Sequence, residues 1–236
     1  MNRTLKALSA LLTYPTAEVV AAAREIGAVL EADRLIAAPV RAQLRTLVDE
    51  VATGDLYDLQ ERYVLLFDRT RSLSLHLFEH VHGESRDRGQ AMIDLKSQYE
   101  AAGLVVDPTE LPDFLPLFLE YLATRPLKEA CETLGQPAHI FAALAERLRK
   151  RTSSYEAVFR ALIALSAAKP KDEEVSALLE LPDPDATDLA ALDAAWEDTP
   201  VQFGPGSGDG CKDGLVARVR GAMRPAPDMP RPAPRS

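Results

Sequence analysis

The sequence predicts an all-α fold, and three observations support this prediction. Ala and Leu supply most of the apolar residues, and both lose little side-chain freedom when they enter a helix. Apolar residues recur at helical spacing along the chain, for example at Leu56, Leu59, Tyr63 and Phe67. No run of apolar and β-branched residues alternates as strands do. With 47% apolar residues, the chain can bury a substantial core in helical packing.

The predicted helices begin and end at residues that favour helix termini. Thr16 and Asp55 are suited to N-terminal capping, because their side-chain oxygens can accept bonds from unpaired backbone N–H groups. Pro39 and Pro112 fit the first turn of a helix, and Gly103 fits a C-terminal cap. On this basis we predict helices over 4–12, 17–31, 39–53, 56–67, 86–102, 112–122, 126–134, 137–150, 153–168 and 185–196.

The C-terminal part of the chain differs in composition from the rest. From Pro200 onward the chain holds seven of its 17 prolines and six of its 12 glycines, with few large apolar residues. Such a segment buries too little surface to offset the entropy lost on ordering. We therefore predict a single helical domain over 1–203 and a Pro/Gly-rich disordered tail over 204–236.

The charge distribution restricts the classes of partner. The net charge is -9, and the residues from Pro200 onward carry +3, which leaves -12 on the body of the chain. An acidic body argues against nucleic acid, because phosphate contacts need a basic face. It is compatible with a partner whose binding segment is basic.

The N-terminal apolar run gives an expectation about location. It is interrupted at Tyr14-Pro15, is too short to span a bilayer, and has no clear signal-peptide cleavage site. We therefore expect a cytoplasmic protein that does not insert into a membrane.

The densest group of polar residues lies between Glu79 and Gly89, just after His76. His76 and His80 are four residues apart, so a helix would place both on one face as a possible metal pair, with His82 nearby. Glu79 precedes His80, so the HExxH pattern is absent, and no third ligand can be named. A metal-dependent enzyme using these histidines is one interpretation. A histidine-rich helix end bonded to nearby carboxylates is the other.

Two arginines lie at the predicted start of the helix that Ser85 would cap. Arg86 and Arg88 are unfavourable there, because a helix N-terminus carries partial positive charge. They could pair with Asp68 or Glu79 and tie two helices together, or they could contact a partner directly.

The sequence contains no recognisable catalytic set. There is no GxSxG, P-loop or GxGxxG motif, and Cys131 and Cys211 have no metal-ligand spacing. We therefore predict that the protein is not an enzyme.

Four segments in the middle of the chain form a recognisable pattern. They are Tyr-Val-Leu-Leu-Phe-Asp at 63–68, Ser-Leu-Ser-Leu at 72–75, Glu-His-Val-His-Gly at 79–83 and Ser-Arg-Asp-Arg-Gly-Gln-Ala-Met at 85–92. Together they resemble the NarJ family, the system-specific chaperones of respiratory nitrate reductase, also described as its delta or assembly subunit. The family-motif positions, read as motif or structural residues, are His80, His82, Gly83, Ser85, Arg86, Arg88, Gly89 and Pro112. The resemblance covers about 5–203 and is most specific over 63–122.

A second block, 110–122, is shared more loosely with the chaperones of TMAO and DMSO reductases. In those relatives His often follows the residue equivalent to Asp113, whereas Phe114 follows it here. This departure favours the nitrate reductase branch, and a chaperone for another molybdoenzyme of the TMAO/DMSO reductase type remains the alternative.

The resemblance implies a single-domain helical bundle of the redox-enzyme chaperone type. It would bind the N-terminal segment of the apo catalytic (alpha) subunit of nitrate reductase before membrane docking. It would assist insertion of the molybdenum-bis(guanine dinucleotide) cofactor and an iron–sulfur cluster into that client, and bind no cofactor permanently itself. A purely structural helical adaptor would instead leave the cofactor content of a reductase unchanged.

Physical reasoning adds a candidate binding groove, because an amphipathic partner helix can be held between helices by apolar anchors. The residues expected to supply the apolar lining are Tyr63, Phe67, Leu75, Phe114 and Phe118. The carboxylates expected to meet basic residues of the partner are Asp68, Glu79, Asp113 and Glu120.

Overall fold

A computed structural model describes residues 2–81, 86–185 and 187–188, with only the backbone described at 86 and 87. Within these residues the α-helices are α1 (Arg3–Leu12), α2 (Ala17–Asp33), α3 (Ala38–Thr53), α4 (Leu56–Tyr63), α5 (Arg86–Ala101), α6 (Leu115–Thr124), α7 (Leu127–Leu134), α8 (Ala138–Lys150), α9 (Glu156–Leu165) and α10 (Asp172–Leu179). The described part of the chain contains no β-strand, and the predicted all-α fold is confirmed.

Backbone contacts divide the chain into Met1–Phe203 and Gly204–Ser236, and every described residue belongs to the first unit. The predicted tail, 204–236, lies outside the described residues, as does most of the helix predicted over 185–196. Among the described residues, no helix combines the length and the apolar character needed to cross a membrane.

Helix α1 lies at the centre of the packing and contacts α2, α6 and α9. Leu8 and Leu12 of α1 are fully buried, and Ser9 donates a buried hydrogen bond to the carbonyl oxygen of Pro116 at 2.8 Å. Helix α9 also packs on α3 and α8. The N-terminal helix is therefore part of the core that supports the middle of the chain.

The predicted N-caps at Thr16 and Asp55 are confirmed. The Thr16 side chain accepts a bond from the N–H of Val19, and Asp55 accepts from the N–H of Tyr57 at 2.9 Å. Gly103 has a φ of 81°, which is strained for residues with a Cβ, and its N–H reaches the carbonyl oxygen of Glu100. These three residues therefore cap helices at the positions that the sequence predicted.

One predicted helix start was wrong, and one helix late in the chain was not predicted. Helix α6 begins at Leu115 with Pro116 in its first turn, not at Pro112, because Phe114 is extended and forms an isolated antiparallel bridge with His76. Helix α10 was missed, although Asp172 opens an acidic first turn of the kind that favours a helix N-terminus.

The helix predicted over 56–67 changes its geometry near its end. Helix α4 stops at Tyr63, and Val64–Asp68 continues as a π-helix. The N–H of Arg69 bonds to the carbonyl oxygen of Val64 at 3.1 Å, five residues back. Short π-helical turns are rare in proteins, and those that do form are often found at functional sites.

Candidate functional site

An open cleft of about 450 Å³ lies beside the π-helical turn. Its walls come from the end of α4, the turn itself, the loop between 70 and 79, the start of α6 and the connection between α1 and α2. Of the residues proposed from sequence, those that line it are Tyr63, Phe67, Asp68, Leu75, Glu79 and Phe114. Those that sequence reasoning did not place in a groove are Tyr14, Val64, Thr70, Arg71, Ser74 and His76.

One wall of the cleft is a chain of aromatic rings in edge-to-face contact. Ring centroids are 5.5 Å apart for Tyr14 and Tyr63, 5.1 Å for Tyr63 and Phe67, and 5.1 Å for Phe67 and Tyr155. The Tyr63 hydroxyl donates to the carbonyl oxygen of Leu12 at 2.8 Å, and burial raises the pKa of Tyr63. Tyr14 is 44% exposed, so the wall runs from the core to an accessible aromatic edge at the mouth.

A buried arginine holds the loop between 70 and 79, which forms the other wall of the cleft. Arg147 of α8 is 2% exposed and donates to the carbonyl oxygens of Ser72 and Leu178, each at 2.6 Å. Burial lowers the pKa of this guanidinium. The same side chain therefore joins the cleft loop to the end of α10.

A carboxylate reinforces this attachment of the loop. The Ser72 hydroxyl donates to Asp183 Oδ1 at 2.6 Å, and Arg151 Nη2 donates to the same oxygen at 2.6 Å. Burial alone would raise the pKa of Asp183, but the hydrogen bonds from Arg151 and Ser72 outweigh burial and lower it. Ser72 is thus fixed through both its carbonyl and its hydroxyl.

Asp113 closes the cleft loop onto the start of α6. It is fully buried, with Oδ1 3.1 Å from His76 Nδ1 and Oδ2 accepting from the N–H of Phe78 at 3.1 Å. The N–H of Leu77 bonds to the Asp113 carbonyl oxygen at 3.1 Å. The hydrogen bond to Asp113 raises the pKa of His76, against the opposite effect of burial.

Asp113, Phe118 and Glu120, all proposed from sequence, do not line the cleft. Both carboxylate oxygens of Asp113 have partners inside the fold, Phe118 is buried on α6, and Glu120 is exposed on that helix. The buried Pro112 precedes α6 and accepts a hydrogen bond from the Tyr99 hydroxyl at 2.8 Å.

The predicted metal pair does not form a shared site in the described structure. His76 precedes the short 3₁₀ helix Leu77–His80, so the two histidines are not on one α-helix face. His80 Nε2 donates to the carbonyl oxygen of Ser74 at 2.8 Å, and burial lowers the pKa of His80. Among the described residues, no group of three or more His, Cys, Asp or Glu could hold a metal ion. His82 lies outside them.

The ion pair between Arg88 and Glu79, one of those considered from the sequence, is present, with Arg88 Nη2 3.6 Å from Glu79 Oε1. It ties the 3₁₀ helix to α5, where Gly89 faces open space. The remaining motif positions, His82, Gly83 and Ser85, lie outside the described residues, as does the side chain of Arg86.

The carboxylates around the cleft differ in whether they can bind an incoming cation. Glu79 pairs with Arg88, and Asp113 is enclosed by its bonds to the loop. Asp68 is exposed at the end of the π-helical turn and forms no ion pair with any described residue. An incoming cation can therefore reach Asp68 without first displacing a described partner.

The described residues thus form an all-helical fold with an aromatic cleft and an exposed carboxylate at its edge. Comparison with known proteins identifies its family. The profile described as nitrate reductase delta subunit matches residues 33–161. The chain therefore belongs to the nitrate reductase delta subunit family.

Individual relatives agree with this assignment. The chain is 41% identical over 220 residues to the nitrate reductase molybdenum cofactor assembly chaperone NarJ of Escherichia coli (strain K12), covering 92% of this chain and 93% of that protein. It is 40% identical over 199 residues to the probable assembly chaperone NarW of the same strain, covering 84% and 83%. It is 31% identical over 161 residues to the probable NarJ of Bacillus subtilis (strain 168), covering 68% and 86%.

Proposed function

We propose that this protein is a nitrate reductase assembly chaperone and not itself an enzyme. Family membership and the names of its relatives support the chaperone role. Its client would be the apo catalytic subunit, and its task would be to assist insertion of the molybdenum-bis(guanine dinucleotide) cofactor and an iron–sulfur cluster before membrane docking. The chaperone would hold the client during this step and then leave it.

We further propose that the cleft binds the N-terminal segment of that client as an amphipathic helix. The observation that carries this proposal is the combination of a fixed aromatic wall with the exposed carboxylate of Asp68 at one edge. Apolar side chains of the helix would pack on Phe67 and Tyr14, and a basic side chain would reach Asp68.

The surrounding structure is suited to such a role because contacts within the fold hold both walls of the cleft. The interlocked rings hold one wall, while Arg147 and Asp113 hold the loop that forms the other. A pre-formed site loses less conformational entropy on binding than one that must first order its loops.

A calorimetric titration tests the peptide step directly. The full chain is titrated with a synthetic peptide covering the N-terminal segment of the cognate catalytic subunit, and with a scrambled peptide of the same composition. We expect saturable binding of the authentic peptide with a dissociation constant of about 1 μM or lower. Equal binding of both peptides, or no binding of either, would contradict recognition by the cleft.

A deletion strain identifies the client protein independently of how the client is bound. If the protein is a nitrate reductase assembly chaperone, loss of the chain should lower the molybdenum content of the purified reductase. Unchanged molybdenum content would favour the adaptor, and a defect confined to a TMAO or DMSO reductase would identify a different client.

A further inference from the structure

A second surface, separate from the cleft, lies in a groove of about 500 Å³ between α1 and α2. The α2 side presents Val19, Ala22, Ile26 and Val29, which are all partly exposed. Their spacing of three, four and three residues is that of the apolar seam in paired helices. Ala10 of α1 adds to the apolar lining of the groove. Helix α2 packs on both α3 and α1, and these four side chains keep part of their surface exposed beside those contacts.

The two rims of the groove carry opposite charges. Arg3 and Lys6 line the α1 rim, and Glu18 and Glu25 line the α2 rim. Glu18 is occupied by a hydrogen bond with Thr16, which lowers the pKa of Glu18. Arg3, Lys6 and Glu25 are exposed, and none of them forms an ion pair with another described residue. The groove thus has unpaired positive charge on one side and unpaired negative charge on the other.

The charged rims of two copies of the groove are complementary when a particular two-fold axis relates the copies. A two-fold axis that runs along the groove places the α1 rim of one copy opposite the α2 rim of the other. The connection at 13–16 reverses the chain, so Lys6 and Glu25 lie near the same end of the groove. Each Lys6 would then face Glu25 of the second copy, twice by symmetry. A perpendicular two-fold axis would instead oppose like charges.

We propose that the α1/α2 groove is a self-association surface, and that its occupant is the same groove of a second copy of this chain. Apolar contact along the seam supplies the attraction, and the Lys6–Glu25 pairs set the orientation. The interface is independent of the cleft, so association and peptide binding are separable in experiment.

Sedimentation equilibrium of the full chain over a wide concentration range tests this proposal. We expect the average mass to rise from the 25.8 kDa of one chain toward twice that value. Lys6→Glu and Glu25→Lys should each weaken association about tenfold by opposing like charges, and the double variant should recover most of the affinity. Arg24→Glu is the matched control, because Arg24 is exposed on α2 but lies outside this groove.

A monomeric chain at all concentrations would overturn the proposal. So would a dimer in which the charge-swapped pair gives no recovery, because that result places the contact elsewhere. Ile26→Glu provides a second test, since a charge in the seam should abolish association while circular dichroism confirms retained helicity.

Cross-linking gives the orientation. Equal amounts of unlabelled and isotope-labelled chain are mixed and treated with a zero-length carboxyl–amine cross-linker. We expect Lys6–Glu25 products that contain one labelled and one unlabelled peptide. If all Lys6–Glu25 products come from a single chain, the two-fold arrangement is wrong.

Discussion

Asp113 and His76, which are 37 residues apart, meet behind the cleft, with Asp113 Oδ1 3.1 Å from His76 Nδ1. The second oxygen of the same carboxylate holds the N–H of Phe78. One buried side chain therefore fixes both ends of the turn that carries His76 into the cleft lining. The ring of His76 also lies against Phe114, with centroids 5.4 Å apart, so His76 joins the Asp113 carboxylate to an apolar residue that lines the cleft.

This pair predicts a pH dependence of stability. Asp113 raises the pKa of His76 in the folded state, so the stabilisation is fully present below the unfolded-state pKa. It is lost as pH rises through the higher folded-state pKa. Urea unfolding of the wild type and His76→Gln should show a stability difference that is larger at about pH 5.5 than at about pH 8.5.

His80 serves as the internal contrast to this prediction. Burial lowers its pKa, so its contribution has the opposite sign and diminishes as pH falls through the depressed folded-state value. The wild-type pH profile contains both effects, and subtraction of the His76→Gln profile isolates the first. A difference that does not vary with pH would show that folding leaves the pKa of His76 unchanged, which would contradict the prediction.

Asp68 should be the main acidic determinant of peptide affinity. Asp68→Asn keeps the size of the side chain but removes the accessible charge at the edge of the cleft. Because this position is exposed, we expect a modest loss of about threefold to tenfold in affinity, and it should shrink at high salt. Calorimetric titrations of the wild type and variant at low and high ionic strength measure both effects.

Glu120→Gln is the matched control for this substitution. Glu120 is an exposed carboxylate that lies outside the cleft lining, so its neutralisation should leave peptide affinity unchanged. If both substitutions weaken binding equally, net charge and not a specific contact controls recognition.

Local chemistry explains which parts of the structure could be predicted from sequence. The caps at Thr16 and Asp55 depend on backbone groups two or three residues away, so their side chains were sufficient evidence. Tyr63 and Phe67 are four residues apart, which places them on one side of a helical segment before any tertiary contact is known. Both indeed line the cleft.

The missed features depend on contacts between distant parts of the chain. Asp113 looked available to a peptide, but its partners His76 and Phe78 are 37 and 35 residues earlier. From the sequence, Tyr14-Pro15 only marked the point where the N-terminal apolar run is interrupted, and the place of Tyr14 in the cleft wall depends on Tyr63, 49 residues later. Such pairings follow from packing, which spacing in the sequence does not reveal.

Tyr14 should act as an accessible apolar anchor for the peptide. Its ring is 44% exposed and lines the mouth of the cleft, so Tyr14→Ser removes contact area without opening the core. We expect about a tenfold loss of peptide affinity, in the range of a moderate interface anchor. Tyr57→Ser is the control, because Tyr57 is 79% exposed and lies outside the cleft lining. Affinity that is insensitive to Tyr14→Ser would place the peptide elsewhere.

Arg147 should link peptide affinity to the position of the cleft loop. Arg147→Met keeps the aliphatic packing of the side chain but removes the donors to Ser72 and Leu178. The Leu178 carbonyl keeps a bond from the N–H of Leu181 at 3.3 Å, so the Ser72 carbonyl is the one that loses its donor. A buried carbonyl left without a partner costs about 1–3 kcal/mol, so urea unfolding should show a clear loss of stability. Peptide affinity should fall as well, because Ser72 lies between the cleft-lining residues Arg71 and Ser74.

Two comparisons separate this effect on the loop from a general loss of folding. Arg149→Met removes a charge from the exposed face of α8, where Arg149 pairs with Glu146, and should change stability by no more than about 0.5 kcal/mol. Titration of Arg147→Met well below its unfolding temperature, where circular dichroism shows native helicity, then measures affinity alone. Wild-type affinity in that folded variant would show that the loop keeps its binding position without Arg147. A loss confined to Arg147→Met would identify the buried guanidinium as the group that positions the loop.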